Sequence, residues 1–322
     1  MALILKESRN SAPVSVFQNK IPLTYPSQTT ILRYLDVKLR ARLVSGVPDL
    51  AKVERILPFR FSTLDFGFQR GENDMETVSL WFDSLVFKIA PMPKDRTKVE
   101  LLICCVHGRR SVGDVRVFEI ESELSVSAAV QLLTQFFVDR PDTDIGKITT
   151  DKKVFNICKE VEWFPMRVRE KAIFPVESVE HDGPLAMLVD TPLLVFGNNY
   201  TAEGVRTILE VIRSSRRRVG SKVALRCRFW PSANISRLCT ELVDLNPKRG
   251  TLRMTEDPVR IETWKGITTA PVSDCVFFEM EHADVSIGFL DYSYETRNGQ
   301  IWIGMATALV RVVEKGSVRV EK

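Results

Sequence analysis

The sequence predicts an α+β or α/β fold in which a short N-terminal helical module precedes a βα domain of degenerate leucine-rich-repeat-like character. Three observations lead there. Apolar residues recur at helical period across positions 22–58, the period shortens to two after Pro58, and the order strand, helix, strand occurs twice downstream. The expected boundaries are a flexible leader over 1–20, helices over 21–58, the βα domain over 59–250 and a strand-rich segment over 251–322.

Residues 1–20 are polar and irregular, with Pro13 among several Ser and Asn. Ile31, Leu32, Leu35, Leu39, Leu43 and Val44 then build one apolar helical face, which Leu50, Val53 and Leu57 continue as far as Pro58. Pro22 and Pro26 can open this segment, and Asp36 and Pro48 divide it into two or three short helices. Beyond Pro58, strand alternation runs through Phe59, Phe61, Leu64, Phe66 and Phe68, and again through Leu85, Phe87 and Ile89. Val99 to Val106 and Val115 to Ile120 add two strands. Ala129, Leu132, Leu133, Phe136 and Phe137 give a helix with Ser125 or Ser127 as its cap and Pro141 as its stop, followed by a strand near Ile145 to Thr149. A second helix begins near Thr201 and buries Val205, Ile208, Leu209 and Ile212. Glu203 lies in its first turn, and Arg213, Arg216, Arg217 and Arg218 gather at its end, as the helix dipole favours. Strand-like Leu193 to Phe196 and Lys222 to Phe229 bracket it, and short strands follow at Cys275 to Glu279, Ile301 to Met305 and Ala308 to Val313.

The chain has 322 residues, 44% hydrophobic and 27% charged, which excludes wholesale disorder, a collagen-like fibre and a membrane bundle. Its net charge of +4 is too mild to demand a polyanionic partner. The charge is uneven, because residues 1–60 hold ten Lys or Arg against four Asp or Glu. The longest strongly apolar run, Leu101 to Val106, is far below the ~18–20 residues a bilayer span needs. Lys6, Glu7 and Arg9 interrupt the apolar start before the core of about 7–15 residues that a secretory signal requires. Cys104, Cys105, Cys158, Cys227, Cys239 and Cys275 show no disulfide framework. An intracellular chain of the cytoplasm or nucleus, with reduced thiols and not secreted, is expected. The sequons at Asn199 and Asn234 are then chance matches.

Little in the sequence carries catalytic chemistry. Cys105 and His107 are the closest approach to a nucleophile and base, and a buried strand ending in a polar turn explains them as well. The six cysteines and three histidines lack zinc-ligand spacing, and no phosphate-binding or hydrolase motif occurs. Glu119, Glu121 and Glu123 have strand spacing but read as solvated edge charges. No enzyme activity, metal or cofactor is expected. The basic run over 213–228, with Phe229 and Trp230 beside it, offers an alternative nucleic-acid-associated reading. A helix end satisfied by its cations is the plainer explanation, so a nucleic-acid partner is not favoured.

The segments Pro22-Leu23-Thr-Tyr25-Pro-Ser27, Ile31-Leu32-Arg-Tyr34-Leu35 and Leu39-Arg40-Ala-Arg42-Leu43-Val44-Ser45 together resemble an F-box. With Val47-Pro48-Asp49-Leu50, Glu54, Leu57-Pro58 and Phe61 to Leu64, the chain resembles the nematode F-box C family, in which such an opening precedes a family-specific domain. Ile261 to Trp264, Cys275 to Glu279 and Tyr292 to Trp302 resemble the closing segment of such proteins. Gly46-Val47-Pro48 stands where many F-boxes carry a Trp, which shortens the second helix. The resemblance implies a non-catalytic substrate-receptor subunit of an SCF-type cullin–RING ubiquitin ligase. Pro22, Leu23, Ile31, Leu32, Leu35, Leu39 and Leu43 would contact a Skp-type adaptor on its cullin scaffold, and 60–322 would hold a target protein of unknown identity. No membrane partner is expected.

Overall fold

The computed structural model of the chain describes residues 25–35, 37–47, 49–70, 76–91, 99–107, 110–111, 116–120, 125–138, 140, 142–158, 167–175, 179–197, 201–227, 235–252, 260–263, 266–269, 274–290, 295–297, 300–302 and 306–320. The leader expected over 1–20 lies outside them. The chain divides into two compact units, Met1–Trp163 and Phe164–Lys322.

The first unit contains α1 (Tyr25–Tyr34), α2 (Val37–Gly46), α3 (Leu50–Glu54), β1 (Arg60–Arg70), β2 (Glu76–Phe82), β3 (Leu85–Pro91), β4 (Val99–His107), β5 (Arg110–Ser111), β6 (Arg116–Ile120), α4 (Val126–Val138), β7 (Asp144–Thr150) and α5 (Lys152–Cys158). Its strands lie in the order β7-β1-β2-β3-β4, and β5 and β6 both pair with β4. Only β1 with β7 is parallel; the other pairs are antiparallel. Gly146 lets β7 approach β1 closely, since a Cβ there would stand 2.5 Å from the Ser62 carbonyl oxygen.

The second unit contains β8 (Val168–Phe174), α6 (Gly183–Ala186), β9 (Leu193–Phe196), α7 (Ala202–Ser215), β10 (Lys222–Cys227), α8 (Ile235–Glu241), β11 (Lys248–Leu252), β12 (Arg260–Thr263), β13 (Gly266–Thr269), β14 (Asp274–Glu279), β15 (Asp284–Leu290), β16 (Glu295–Arg297), β17 (Gln300–Trp302), β18 (Ala306–Val313) and β19 (Val318–Val320). Here the order is β19-β11-β14-β15-β18-β10-β9-β8. β8, β9 and β10 run parallel, and the remaining pairs are antiparallel. β12 pairs with β13 and β16 with β17 as separate hairpins. Val195, Ala224 and Leu309 meet across neighbouring strands as one buried cluster.

This architecture overturns the expected fold class. Strands dominate, as mixed sheets, and no leucine-rich-like array is present among the described residues. A leucine-rich array lays down one parallel strand per repeat, whereas antiparallel strands make up most of both units. The strand, helix, strand pattern around α4 misleads for a specific reason: β7 pairs with the distant β1, not with the preceding β6. The expected N-terminal helical module is corrected as well. The three short helices do not form a module of their own but are built into the sheet unit by buried charge.

Two guanidiniums and one carboxylate make that attachment. Leu32, Leu50, Val53 and Leu57 form a small buried cluster on which Leu35, Leu43 and Val44 pack. Beside it Arg40 of α2 donates to the Pro58 carbonyl at 2.8 Å and to the Glu54 and Leu57 carbonyls at 2.9 Å each. Arg140, past the end of α4, donates to the Glu54 carbonyl and to Glu54 Oε1, both at 2.8 Å. Arg40 Nε lies 3.3 Å from the same carboxylate. The two guanidinium carbons stand 4.3 and 4.1 Å from the centre of the Phe59 ring. Burial, opposed by Glu54 and aided by Arg140, pulls the Arg40 pKa down to about 10. Phe59 continues into the main core, where Phe137 of α4 sits 5.3 Å from it and 4.4 and 5.3 Å from Phe82 and Phe87.

Removing the shared carboxylate should therefore leave two buried cations uncompensated. Glu54→Ala is expected to cost the first unit about 3–5 kcal/mol, with Glu54→Gln falling between it and the parent. Urea unfolding with amide exchange followed in α1–α4 checks both.

Candidate functional site

The residues expected to meet an adaptor separate into distinct classes. Pro22 and Leu23 lie outside the described residues. Leu32 is fully buried at 0% exposure, and Leu35 and Leu43 are half-buried against the Leu32 cluster. Ile31 and Leu39 face solvent at 39% and 47% exposure. The heptad-like spacing selects all of these alike, because residues one position apart on a helix differ by about 100° and only packing decides which of them turns inward. Leu32 belongs to the core.

Tyr34 is the exposed residue that the expected set omits. It is 80% exposed, three positions after Ile31 and hence a neighbour on the α1 surface. Val47, just past α2, is 42% exposed. α2 ends at Gly46, at the Gly-Val-Pro sequence that was expected to shorten it. The α1–α2 segment therefore presents Ile31, Tyr34 and Leu39 to solvent while Leu32 and Arg40 anchor it from below.

The basic run over 213–228 is partly consumed by structure. Thr201 caps α7 by accepting from the Gly204 amide at 2.9 Å, and the predicted buried face of Val205, Ile208, Leu209 and Ile212 is present. At the other end Arg217 turns inward and donates to the Met187, Val189 and Thr191 carbonyls at 3.0, 3.4 and 3.2 Å. Burial lowers its pKa, Asp190 opposing and Arg218 adding to the shift. Arg218 pairs with Asp190. Arg206 pairs with both Asp244 and Glu203, and its hydrogen bond holds the Asp244 carboxyl below the ordinary carboxylate range. Arg213 and Arg216 remain exposed, whereas the side chains of Arg226 and Arg228 lie outside the described residues.

The remaining sequence candidates give no assembled site. The side chains of Cys105, His107 and Glu119 are not among those described, nor are Glu121 and Glu123. His181 and His282 are exposed and lie apart in the sequence. Cys239 and Cys275 form no disulfide, and the buried Cys275 thiol donates to the Gly250 carbonyl at 3.4 Å. Among the described residues no group of three or more His, Cys, Asp or Glu could hold a metal, and no helix is long and apolar enough to cross a membrane.

Arg217 and Arg216 should respond oppositely to substitution. Arg217→Met strips three buried carbonyls of their donor and is expected to destabilise the second unit by about 2–4 kcal/mol. Arg216 holds a left-handed φ of 48° at the α7 C-cap, so Arg216→Gly should stabilise by about 0.5–1 kcal/mol. Thermal unfolding of the two variants beside the parent checks both signs. Comparison with family models, with curated proteins and with solved structures finds no match to this chain.

Proposed function

We propose that this chain is a non-catalytic substrate receptor of an SCF-type cullin–RING ubiquitin ligase, working inside the cell in the cytoplasm or nucleus. The α1–α2 segment would dock on a Skp-type adaptor, and the sheets that follow would hold a target protein for ubiquitination. The observation that carries this reading is the exposure of Ile31, Tyr34 and Leu39 on helices already anchored by Leu32 and Arg40. Large apolar side chains kept in water on a fixed surface mark a partner site. The F-box-like order of Pro, Tyr, Leu and Arg across 22–58 supplies the identity of that partner. A receptor needs no chemistry of its own: it raises the concentration of target beside the ligase by holding both.

The exposed residues, not Leu32, give the clean test. Ile31→Asp with Leu39→Asp is expected to abolish co-purification with Skp-type adaptors while leaving the unfolding midpoint near that of the parent. Leu32→Asp should instead unfold the first unit, because it buries a charge in a closed apolar cluster. Adaptor binding retained by a folded Ile31→Asp/Leu39→Asp chain overturns the reading.

A further inference from the structure

In the second unit α7 ends where the parallel strands β8, β9 and β10 begin. Arg167, just ahead of β8, bridges to Asp190, just ahead of β9, and Arg218 pairs with the same aspartate. The half-buried Arg217 reaches from the turn before β10 to the Met187, Val189 and Thr191 carbonyls, and so ties residues 187–191 to that turn. Two large aliphatic side chains stand in water on the stretches joined in this way: Leu188 is 49% exposed and Val219 48%. Neither sits on a fraying end. The carbonyls on both sides of Leu188 accept from Arg217, and Gly220, next to Val219, donates to the Val312 carbonyl at 2.8 Å.

Positive charge is in excess around them. Arg213 and Arg216 are exposed and one turn apart at the end of α7, and neither they nor Arg167 form an ion pair among the described residues. Within 187–191 and 210–221 the acids are Asp190, which Arg218 already holds, and Glu210, a turn before Arg213. Two bordering pairs of opposite sign, Arg169 with Glu170 and Glu314 with Lys315, add no net charge. The C-terminal dipole of α7 contributes about half a negative charge, which leaves the arginines well ahead.

We propose that this end of the second unit is a peripheral docking surface for a bilayer rich in anionic lipids. The guanidiniums would take the phosphate and carboxylate groups of the lipid heads, whose geometry they match bidentately. Leu188 and Val219 would enter the boundary between heads and acyl chains. These two residues decide between anionic partners. Nucleic acid offers arginine the same phosphates but rewards aromatic stacking, and exposed aliphatic side chains gain nothing from it. Surface contact of this kind needs no membrane-spanning helix, and none is present among the described residues.

Co-sedimentation of the full-length chain with vesicles tests this, using phosphatidylcholine alone and phosphatidylcholine with about 30% phosphatidylserine. The chain is expected to bind the serine-containing vesicles, to leave the others almost bare, and to bind less as salt rises from about 50 to 200 mM. Arg213→Gln/Arg216→Gln should lower the partition coefficient about tenfold. Leu188→Ser/Val219→Ser should lower it severalfold and leave its salt dependence intact. All four positions are exposed; should a double variant melt early, its single substitutions give the same reading with a smaller effect. Ile31→Asp/Leu39→Asp should bind vesicles like the parent, which separates this surface from the adaptor reading. Absence of binding to the serine-containing vesicles, equal binding to phosphatidylcholine alone, or indifference to either double variant overturns the proposal. Tighter binding to a labelled oligonucleotide, dependent on Arg213 and Arg216 but not on Leu188 and Val219, overturns it too, since nucleic acid would then be the occupant.

Discussion

The Glu54 carboxylate, shared by Arg40 and Arg140 over the face of Phe59, is the interaction on which the first unit depends. α3 has five residues, far fewer than a helix needs to persist alone in water. Its last carbonyl, that of Glu54, accepts from the Leu57 amide and from both guanidiniums, which also take the Leu57 carbonyl just beyond the helix. Each arginine thus serves the backbone, the carboxylate and an aromatic ring at once. A lysine could not replace either, since a single ammonium lacks the planar fork that spans these acceptors.

That cluster gives the exposed apolar residues their meaning. A leucine in water on a fraying helix is a common accident, but α1 and α2 are fixed from below by Leu32 and Arg40. A surface held in one geometry loses little conformational entropy when a partner covers it. Rigidity and exposure together separate a docking face from a defect of packing.

Much of the local structure was legible in the sequence. Period two found β1, β3, β4 and β6, and the 3.6-residue apolar stripe beginning near Thr201 found α7 and its buried face. The fold class was not legible, because pairing partners are not encoded locally: nothing around 144–150 announces that β7 runs beside β1. β2 escaped notice although it alternates, since Glu76, Thr77 and Ser79 dilute its apolar content. Arg40, Glu54 and Arg140 were invisible as a cluster, as charged residues are ordinarily solvated and only burial reveals their pairing. In the candidate site, spacing selected Ile31, Leu32 and Leu39 together; packing alone distinguishes Leu32 as core. Likewise Leu132 and Phe136 share the apolar spacing of α4 with Ala129 and Phe137 yet face the other way.

The separation of Glu54 from Arg140, 86 residues along the chain, has a consequence in time. β1 to β4 can zip together through short hairpins, each closing a small loop. Joining β7 to β1 and Arg140 to Glu54 closes a far larger one, whose chain entropy must be surrendered before any contact repays it. During synthesis the antiparallel strands can therefore assemble while Leu50, Val53 and Leu57 still wait for the residues that will lock them. Until position 150 has left the ribosome, the N-terminal helices hold only their own apolar cluster and the Arg40 contacts, without the Arg140 lock on Glu54, and in that interval their apolar, cationic surface is open to chaperones and proteases.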